Sequence, residues 1–327
     1  MSLQIGAVKL PHNAVLAPMS GVTDKPFRQI VRACGGGLVV SEMVASHAVL
    51  SAVKDEMRKL QFSAEEESPL SIQLAGWDPE IMAEAARIAE QLGAGLIDIN
   101  MGCPAKKVTG RLSGSALMRD LPLAADICRA VKSAVSVPVT LKMRLGWDPT
   151  SRNAPELARI AEAEGIEMLA VHGRTRCQMY KGEADWSAVH EVKDVVGLPL
   201  LVNGDIKTLD DVADAKQKSG ADGVMIGRGA QGRPWFVAQA GAALRGNVVP
   251  QTPTIAERHE ILRNHLDGML SFYGTHALRL ARKHMAWYAA GLPGSAALRQ
   301  VANNATDASL VFAAIDSYFL EQSGQAA

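Results

Sequence analysis

Cysteine is scarce in this chain. Its 327 residues include four, Cys34, Cys103, Cys128 and Cys177, with no CxxC pair and no histidine cluster beside them. That spacing argues against a zinc site and a disulfide framework, so no metal is expected and a reducing compartment fits. Net charge is absent too, since Lys plus Arg and Asp plus Glu both number 34. A global basic field is thereby excluded, and any contact with nucleic acid must come from local patches. No run approaches the ~18 apolar residues that cross a membrane, and the opening MSLQIGAVKLPHNAV lacks the regions of a signal peptide. A cytoplasmic protein with no membrane partner is the expectation. Aromatics make up 5% of the chain, which leaves little surface for stacking bases. A GxGxxG after the first strand pattern is also missing, and CGGG at 34–37 precedes a strand instead of opening a helix. It reads as a turn, against an open dinucleotide-binding fold.

What is present is a globular composition, 48% apolar and 21% charged, arranged in a regular pattern. Eight β-branched or Leu-rich runs recur: NAVLAPM from 13, GLVVSEM from 37, PLSIQLA from 69, LIDINMGCP from 96, PVTLKMR from 138, MLAVHGR from 168, PLLVNGD from 199 and GVMIGRG from 223. Helical segments separate them. In WDPEIMAEAARIAEQLGAG, Asp78 caps, Pro79 takes the first turn, and Ile81, Ala85, Ile88 and Leu92 share a face. Thr208 and Asp211 form a capping-box pair, with Gly220 as the stop. Strands buried on both faces and alternating with helices predict an α/β fold, a (β/α)8 barrel over residues 1–245. Past 245 the strand pattern stops. Pro250 and Pro253 mark a linker, and 246–327 reads as a small all-helical domain.

A barrel of this kind builds its site from the C-terminal strand ends, and here those ends are polar. They offer Pro18, Met19 and Ser20; Glu42; Gln73; Asn100 and Cys103; Lys142 and Arg144; His172 and Arg174; Asn203, Gly204 and Asp205; Gly227 and Arg228. The tips at strands seven and eight suit a phosphate, because glycine admits backbone N–H groups and Arg228 can fork two oxygens. Lys142 suits a Schiff base, a fixed charge beside a cofactor ring, or mere snorkelling. His172 reads equally as a core histidine, and Gln73 and Asn203 as amides for a heterocycle or as loop ties. Cys34, Cys128 and Cys177 read as inert, buried thiols. Cys103 stands apart, between Gly102 and Pro104 at a strand end. A thiol near its reference pKa of about 8.5 can donate a proton, whereas Lys106 and Lys107 close by would favour the thiolate.

The motifs APMSGVTDKPFR at 17, SEM at 41, IQLAG at 72, DINMGCPAKKV at 98, GSALM at 114, LKMRLGWD at 141, VHGRTR at 171, NGDI at 203 and GVMIGRGAQGRPW at 223 resemble those of the tRNA-dihydrouridine synthases, chiefly the bacterial B type. The likeness runs in order across residues 10–240, and RKHMAWYAAGLPG at 282–294 resembles that family's helical domain. The resemblance implies an FMN enzyme that reduces the C5=C6 bond of a D-loop uridine in tRNA, with NADPH reducing the flavin. It makes Cys103 the proton donor to C5. It assigns Pro18, Met19, Ser20, Gln73, Lys142, His172, Asn203, Gly204, Asp205, Gly227 and Arg228 to FMN, and Asn100, Arg144, Arg174, Tyr180, Arg279 and Lys283 to the tRNA. The basic clusters Lys106/Lys107/Arg111, Arg174/Arg176/Lys181 and Arg279/Arg282/Lys283 become phosphate contacts, and 246–327 a tRNA-binding domain. Rival readings are an FMN barrel acting on a free pyrimidine, such as a dihydropyrimidine or dihydroorotate dehydrogenase, a flavin-free RNA-binding barrel, and a lysine aldolase using Lys142.

Overall fold

The computed structural model describes residues 3–110 and 112–325, apart from the side chains of Lys107 and Gln325. Each of the eight apolar runs forms a strand: β1 Ala14–Leu16, β2 Val39–Val40, β3 Leu70–Ala75, β4 Leu96–Met101, β5 Val139–Arg144, β6 Met168–His172, β7 Leu200–Asn203 and β8 Gly223–Ile226. Each pairs in parallel with the next, and β8 returns to β1 with Val224 opposite Ala14. The sheet is closed, as the alternation of runs and helices predicts.

Strand side chains alternate between the two faces of a sheet, and here the two faces differ. Ile97, Ile99 and Met101 of β4 and Val139, Leu141 and Met143 of β5 pack outward into the core shared with the helices. The inward set is graded along the barrel axis. At the N-terminal end Leu96, Met168 and Leu201 cluster with Leu3, Ile5 and Leu10. Those last three flank or belong to the hairpin of Gln4–Ile5 and Val8–Lys9, which plugs the barrel floor. Toward the C-terminal end the same inward parity brings Asp98 and Asn100, Thr140, Lys142 and Arg144, His172 and Asn203. Polar side chains are thereby concentrated toward the mouth.

β2 is interrupted. Val39 pairs with Leu70 and Val40 with Ser71, but the next paired residues are Val44 with Leu74 and Ala45 with Ala75, so β2 carries one extra residue. Ser41 repairs this bulge, because its Oγ accepts from the Gln73 N–H at 3.0 Å.

The outer layer consists of α1 Lys25–Ala33, α2 Pro79–Gln91, α3 Leu121–Ala134, α4 Ala154–Ala163, α5 Ser187–Lys193, α6 Leu209–Ser219 and α7 Phe236–Arg245, with three short helices (Ser46–Leu50, Lys54–Lys59, Ala64–Glu67) between β2 and β3. The caps at Asp78 and Thr208 form as predicted, the second as a full capping box with Asp211. The buried face of α2 does not follow expectation. It comprises Met82, Ala83, Ala85, Ala86 and Ala89, while Leu92 is 49% exposed. Small side chains allow close approach to the sheet, and that outweighs the larger aliphatics a quarter-turn away.

After a coil at 247–254 the tail forms α8 Ile255–Tyr273, α9 Ala277–Tyr288, α10 Ser295–Asn304 and α11 Ala308–Gln325. It has its own core, around Leu266, Met285, Ile315 and Phe319. The tail docks beside β1. Phe27 of α1 lies 5.5 and 5.7 Å from the rings of His265 and His284, Tyr273 Oη donates to Asp24 Oδ2 at 3.0 Å, and Lys283 Nζ donates to the Gly21 carbonyl. Among the described residues no helix is long and apolar enough to cross a membrane.

Candidate active site at the barrel mouth

The inward polar ends surround a cavity of about 420 Å³, within the range that holds a cofactor or small substrate. Pro18, Met19, Val22 and Met225 give it an apolar wall, while Lys142, His172 and Asn203 face it from adjoining strands. Lys142 Nζ donates to Asn203 Oδ1 at 3.0 Å, and Asn203 Nδ2 donates to the Met225 carbonyl at 2.7 Å. Burial, reinforced by the charge of Arg144 and opposed by Asp98, lowers the Lys142 ammonium to a pKa of about 8. It stays mostly charged at neutral pH, within reach of losing its proton. His172 is held well below its ordinary value, first by burial and then by the cations Lys142, Arg144, Arg174 and Arg228. It is therefore neutral. Arg174 Nη1, 3.3 Å from His172 Nε2, can only donate, which places the imidazole proton on Nδ1.

Cys103 is half-buried and held from both sides of its peptide. Its N–H donates to Asn100 Oδ1 at 2.9 Å, and its carbonyl accepts from Ser115 N at 3.1 Å and Ser115 Oγ at 2.8 Å. Gly114, at φ +61°, has to be glycine, because a Cβ there would stand 2.8 Å from the Cys103 carbonyl oxygen. Behind Asn100 runs a polar chain across the barrel. Asn100 Nδ2 donates to Gln73 Oε1 at 2.7 Å, Gln73 Nε2 donates to Asp98 Oδ2 at 2.6 Å, and Thr140 Oγ1 donates to Asp98 Oδ1 at 2.5 Å. A carboxylate only accepts, so Asp98 fixes the orientation of Gln73, Gln73 that of Asn100, and Asn100 thereby presents an acceptor to Cys103.

Two fully buried arginines hold the loop after β6. Arg144 Nε donates to Gly102 O at 2.7 Å, and its Nη1 reaches Thr175 O at 3.0 Å and Met179 O at 2.9 Å. Arg174 reaches the carbonyls of Lys181 and Gly182 and pairs with Asp205. Between these anchors Tyr180 is 55% exposed, with the guanidinium carbons of Arg144 and Arg228 5.6 and 5.3 Å from its ring centroid. Asp205 also accepts from Arg228 Nη2 at 3.0 Å and from Ala184 N at 2.9 Å. Burial opposes its charge, but Arg174, Ala184 and Arg228 together keep the carboxyl below its ordinary pKa. Gly204, at φ +115°, turns the chain against His172, where a Cβ would fall 2.7 Å from Cδ2.

Pro18, Met19, Ser20, Gln73, Asn100, Cys103, Lys142, Arg144, His172, Tyr180, Asn203, Gly204, Asp205, Gly227 and Arg228 all line the one cavity. Arg174 lies behind it, 1% exposed. Arg279 is exposed on α9, and Lys283 sits at the junction of tail and β1 loop. Of the cluster Lys106/Lys107/Arg111, the Lys107 side chain and Arg111 lie outside the described residues. Cys128 is buried, and burial pushes its thiol up to about 12; Cys177, expected to be buried, is exposed, on a loop where its N–H donates to the Trp147 carbonyl at 2.8 Å. Sequence reasoning gave no role to Asp98, Thr140, Gly114 or Ser115. The available signal was parity, since Asp98 stands two residues before Asn100 on the same strand face. Met43, Lys207 and Gln231 also line the cavity and were not singled out.

A family model described as dihydrouridine synthase (Dus) matches residues 15–322. A probable tRNA-dihydrouridine synthase of Rickettsia conorii is 48% identical over 306 residues, covering 93% of this chain and 92% of the relative. One from Rhodobacter capsulatus is 49% identical over 323 residues, 98% and 99% of the two chains. The tRNA-dihydrouridine synthase B of Pseudomonas aeruginosa is 45% identical over 322 residues, 98% and 96% of the two chains.

Proposed function

The chain belongs to the dihydrouridine synthase family, and we propose that it reduces the C5=C6 bond of a D-loop uridine in tRNA, with FMN as its bound cofactor and NADPH as reductant. The observation that carries this reading is the convergence of the polar strand ends on one cavity with Cys103, held by its own backbone, at the edge. The residues fit FMN chemically. An apolar wall suits a flat ring, Lys142 and the amides suit its polar edge, and Arg228 and Lys207 at the rim suit a phosphate. When bound, reduced FMN supplies the hydride that adds to C6.

The protein's own residues do the rest. Cys103 Sγ holds the proton that passes to C5, so one hydride and one proton saturate the double bond. Lys142 places a positive charge beside the ring site, Asn203 aims it, and neutral His172 adds no further charge. A uracil reaches this depth only when it leaves its stack. Asn100, Arg144 and Tyr180 are the groups that face it, Asn100 also holding the Cys103 loop, while Arg174 acts one step back, on the loop after β6. The tail, with Arg279 and Lys283, gives the rest of the tRNA a second surface. Nucleoside mass spectrometry of an unmodified tRNA transcript incubated with the protein, FMN and NADPH tests this: dihydrouridine forms with wild type, and its absence would refute the reading.

A further inference from the structure

The indole of Trp147 stands just after β5. The guanidinium carbons of Arg119 and Arg176 lie 4.9 and 4.6 Å from its ring centroid. The three residues come from different strand-end loops. Arg119 closes the turn Gly114–Arg119 that clamps Cys103, and Arg176 follows β6. Backbone bonds join the pieces, Arg176 N to Gly146 O at 2.9 Å and Cys177 N to Trp147 O at 2.8 Å.

Two cations within 5 Å of one ring centre stand within 10 Å of each other, and among the described residues neither guanidinium meets a carboxylate. Arginines on the helical flank are paired, Arg87 with Glu84 and Arg129 with Glu164. The acids next in sequence are engaged elsewhere: Asp120 caps α3, and Asp148 is bonded to Thr150 and Ser151. The indole attracts both cations but does not neutralise them. An anion does.

Topology says which side of the mouth an anion held there would occupy. In a closed eight-stranded barrel β5 is four strands from β1 in either direction, so this cluster faces the β1 loop across the mouth. At β1 the tail docks through Lys283. We propose that Arg119, Trp147 and Arg176 form a docking point for the phosphodiester backbone of the RNA. A strand whose nucleotide enters the cavity is then held on both flanks, by the tail on one side and by this cluster on the other. The inference rests on the reading that the substrate is RNA.

The test is binding of the full chain to an unmodified tRNA transcript, titrated between about 50 and 300 mM salt. The double variant Arg119→Gln/Arg176→Gln should bind at least tenfold more weakly at the low-salt end. Its slope of log Kd against log salt should fall by about 1–2, one unit for each phosphate the protein no longer neutralises. Arg119→Gln alone, at an exposed residue, should give an intermediate slope and guards against misfolding of the double variant. Unchanged affinity and slope, or weaker binding with the slope intact, would overturn the proposal. Dihydrouridine formation by wild type is scored separately. If it fails while the slopes differ as stated, the enzymatic reading falls and this one stands.

Discussion

Replacing Gln73 by Glu tests the polar chain behind Cys103 with almost no change of shape. In the wild type, Gln73 donates to Asp98 at 2.6 Å and accepts from Asn100 at 2.7 Å. A glutamate can still accept from Asn100, but its other oxygen then faces the Asp98 carboxylate, and two buried acceptors at that separation require a proton between them. The pair titrates as a unit, with one pKa raised well above the ~4.3 of an unfolded glutamate. Since the folded value is the higher one, the stability linked to this proton is full below about pH 4 and is lost as pH rises toward the folded value. Over that window the folded variant binds one proton more than the unfolded chain, so its stability relative to wild type falls by about 1.4 kcal/mol per pH unit. Between pH 5 and pH 7 the loss is roughly 2.7 kcal/mol. Burial raises the Asp98 pKa, and the hydrogen bonds from Thr140 and Gln73 and the charge of Lys142 oppose that rise; Lys142 therefore ends the slope sooner than an isolated carboxyl pair would. Urea midpoints of variant and wild type, read at pH 5, 6, 7 and 8, supply the measurement. A difference that does not change with pH would show that Gln73 is not held between Asp98 and Asn100, and the account of how Cys103 is oriented would fail with it.

Cys103→Ala should bind tRNA as wild type does and form no dihydrouridine above about 1% of the wild-type rate, in line with loss of a general acid worth 10²–10⁴-fold; nucleoside mass spectrometry reads this. Lys142→Met removes an ammonium whose pKa falls from 10.5 to about 8 on folding. That charging cost is present below pH 8 and fades toward 10.5, so at pH 7 the variant should gain up to roughly 2 kcal/mol, after about 1 kcal/mol lost at Asn203. It should also retain less FMN, as flavin absorbance after gel filtration would report. Asp24, between α1 and the tail, has its carboxyl raised to about 6, chiefly by burial. Its ionised form is therefore a burden above that pH, and Asp24→Asn, which keeps both the cap and a partner for Tyr273, should stabilise the protein by about 2–3 kcal/mol at pH 7.5 and not at pH 4. Denaturation midpoints at the two pH values decide it.

The barrel was readable because its signal is local. Each strand is a short apolar run with a glycine or polar tip, and the helices between them carry caps such as Asp78 and Thr208 that act within three residues. The cavity's membership followed from one rule, that strand ends converge at the C-terminal mouth, which needs strand order but not register. What was not readable depends on register and on partners distant in sequence. Asp98 looks like an isolated acid in an apolar strand until the pairing of Gln73 with Asp98 and of Ile97 with Val139 brings Gln73 and Thr140 to its two oxygens. Arg174 looks like an outward cation in VHGRTR, yet Asp205, from the next strand, and the carbonyls of its own loop draw it inward to 1% exposure. Asn100, read as a substrate contact, lines the cavity, and the bonds it makes run to Gln73 and to the Cys103 N–H. In all three cases the residue type signalled polarity at the mouth, while its partner decided whether that polarity faces a ligand or holds in place the residue that does.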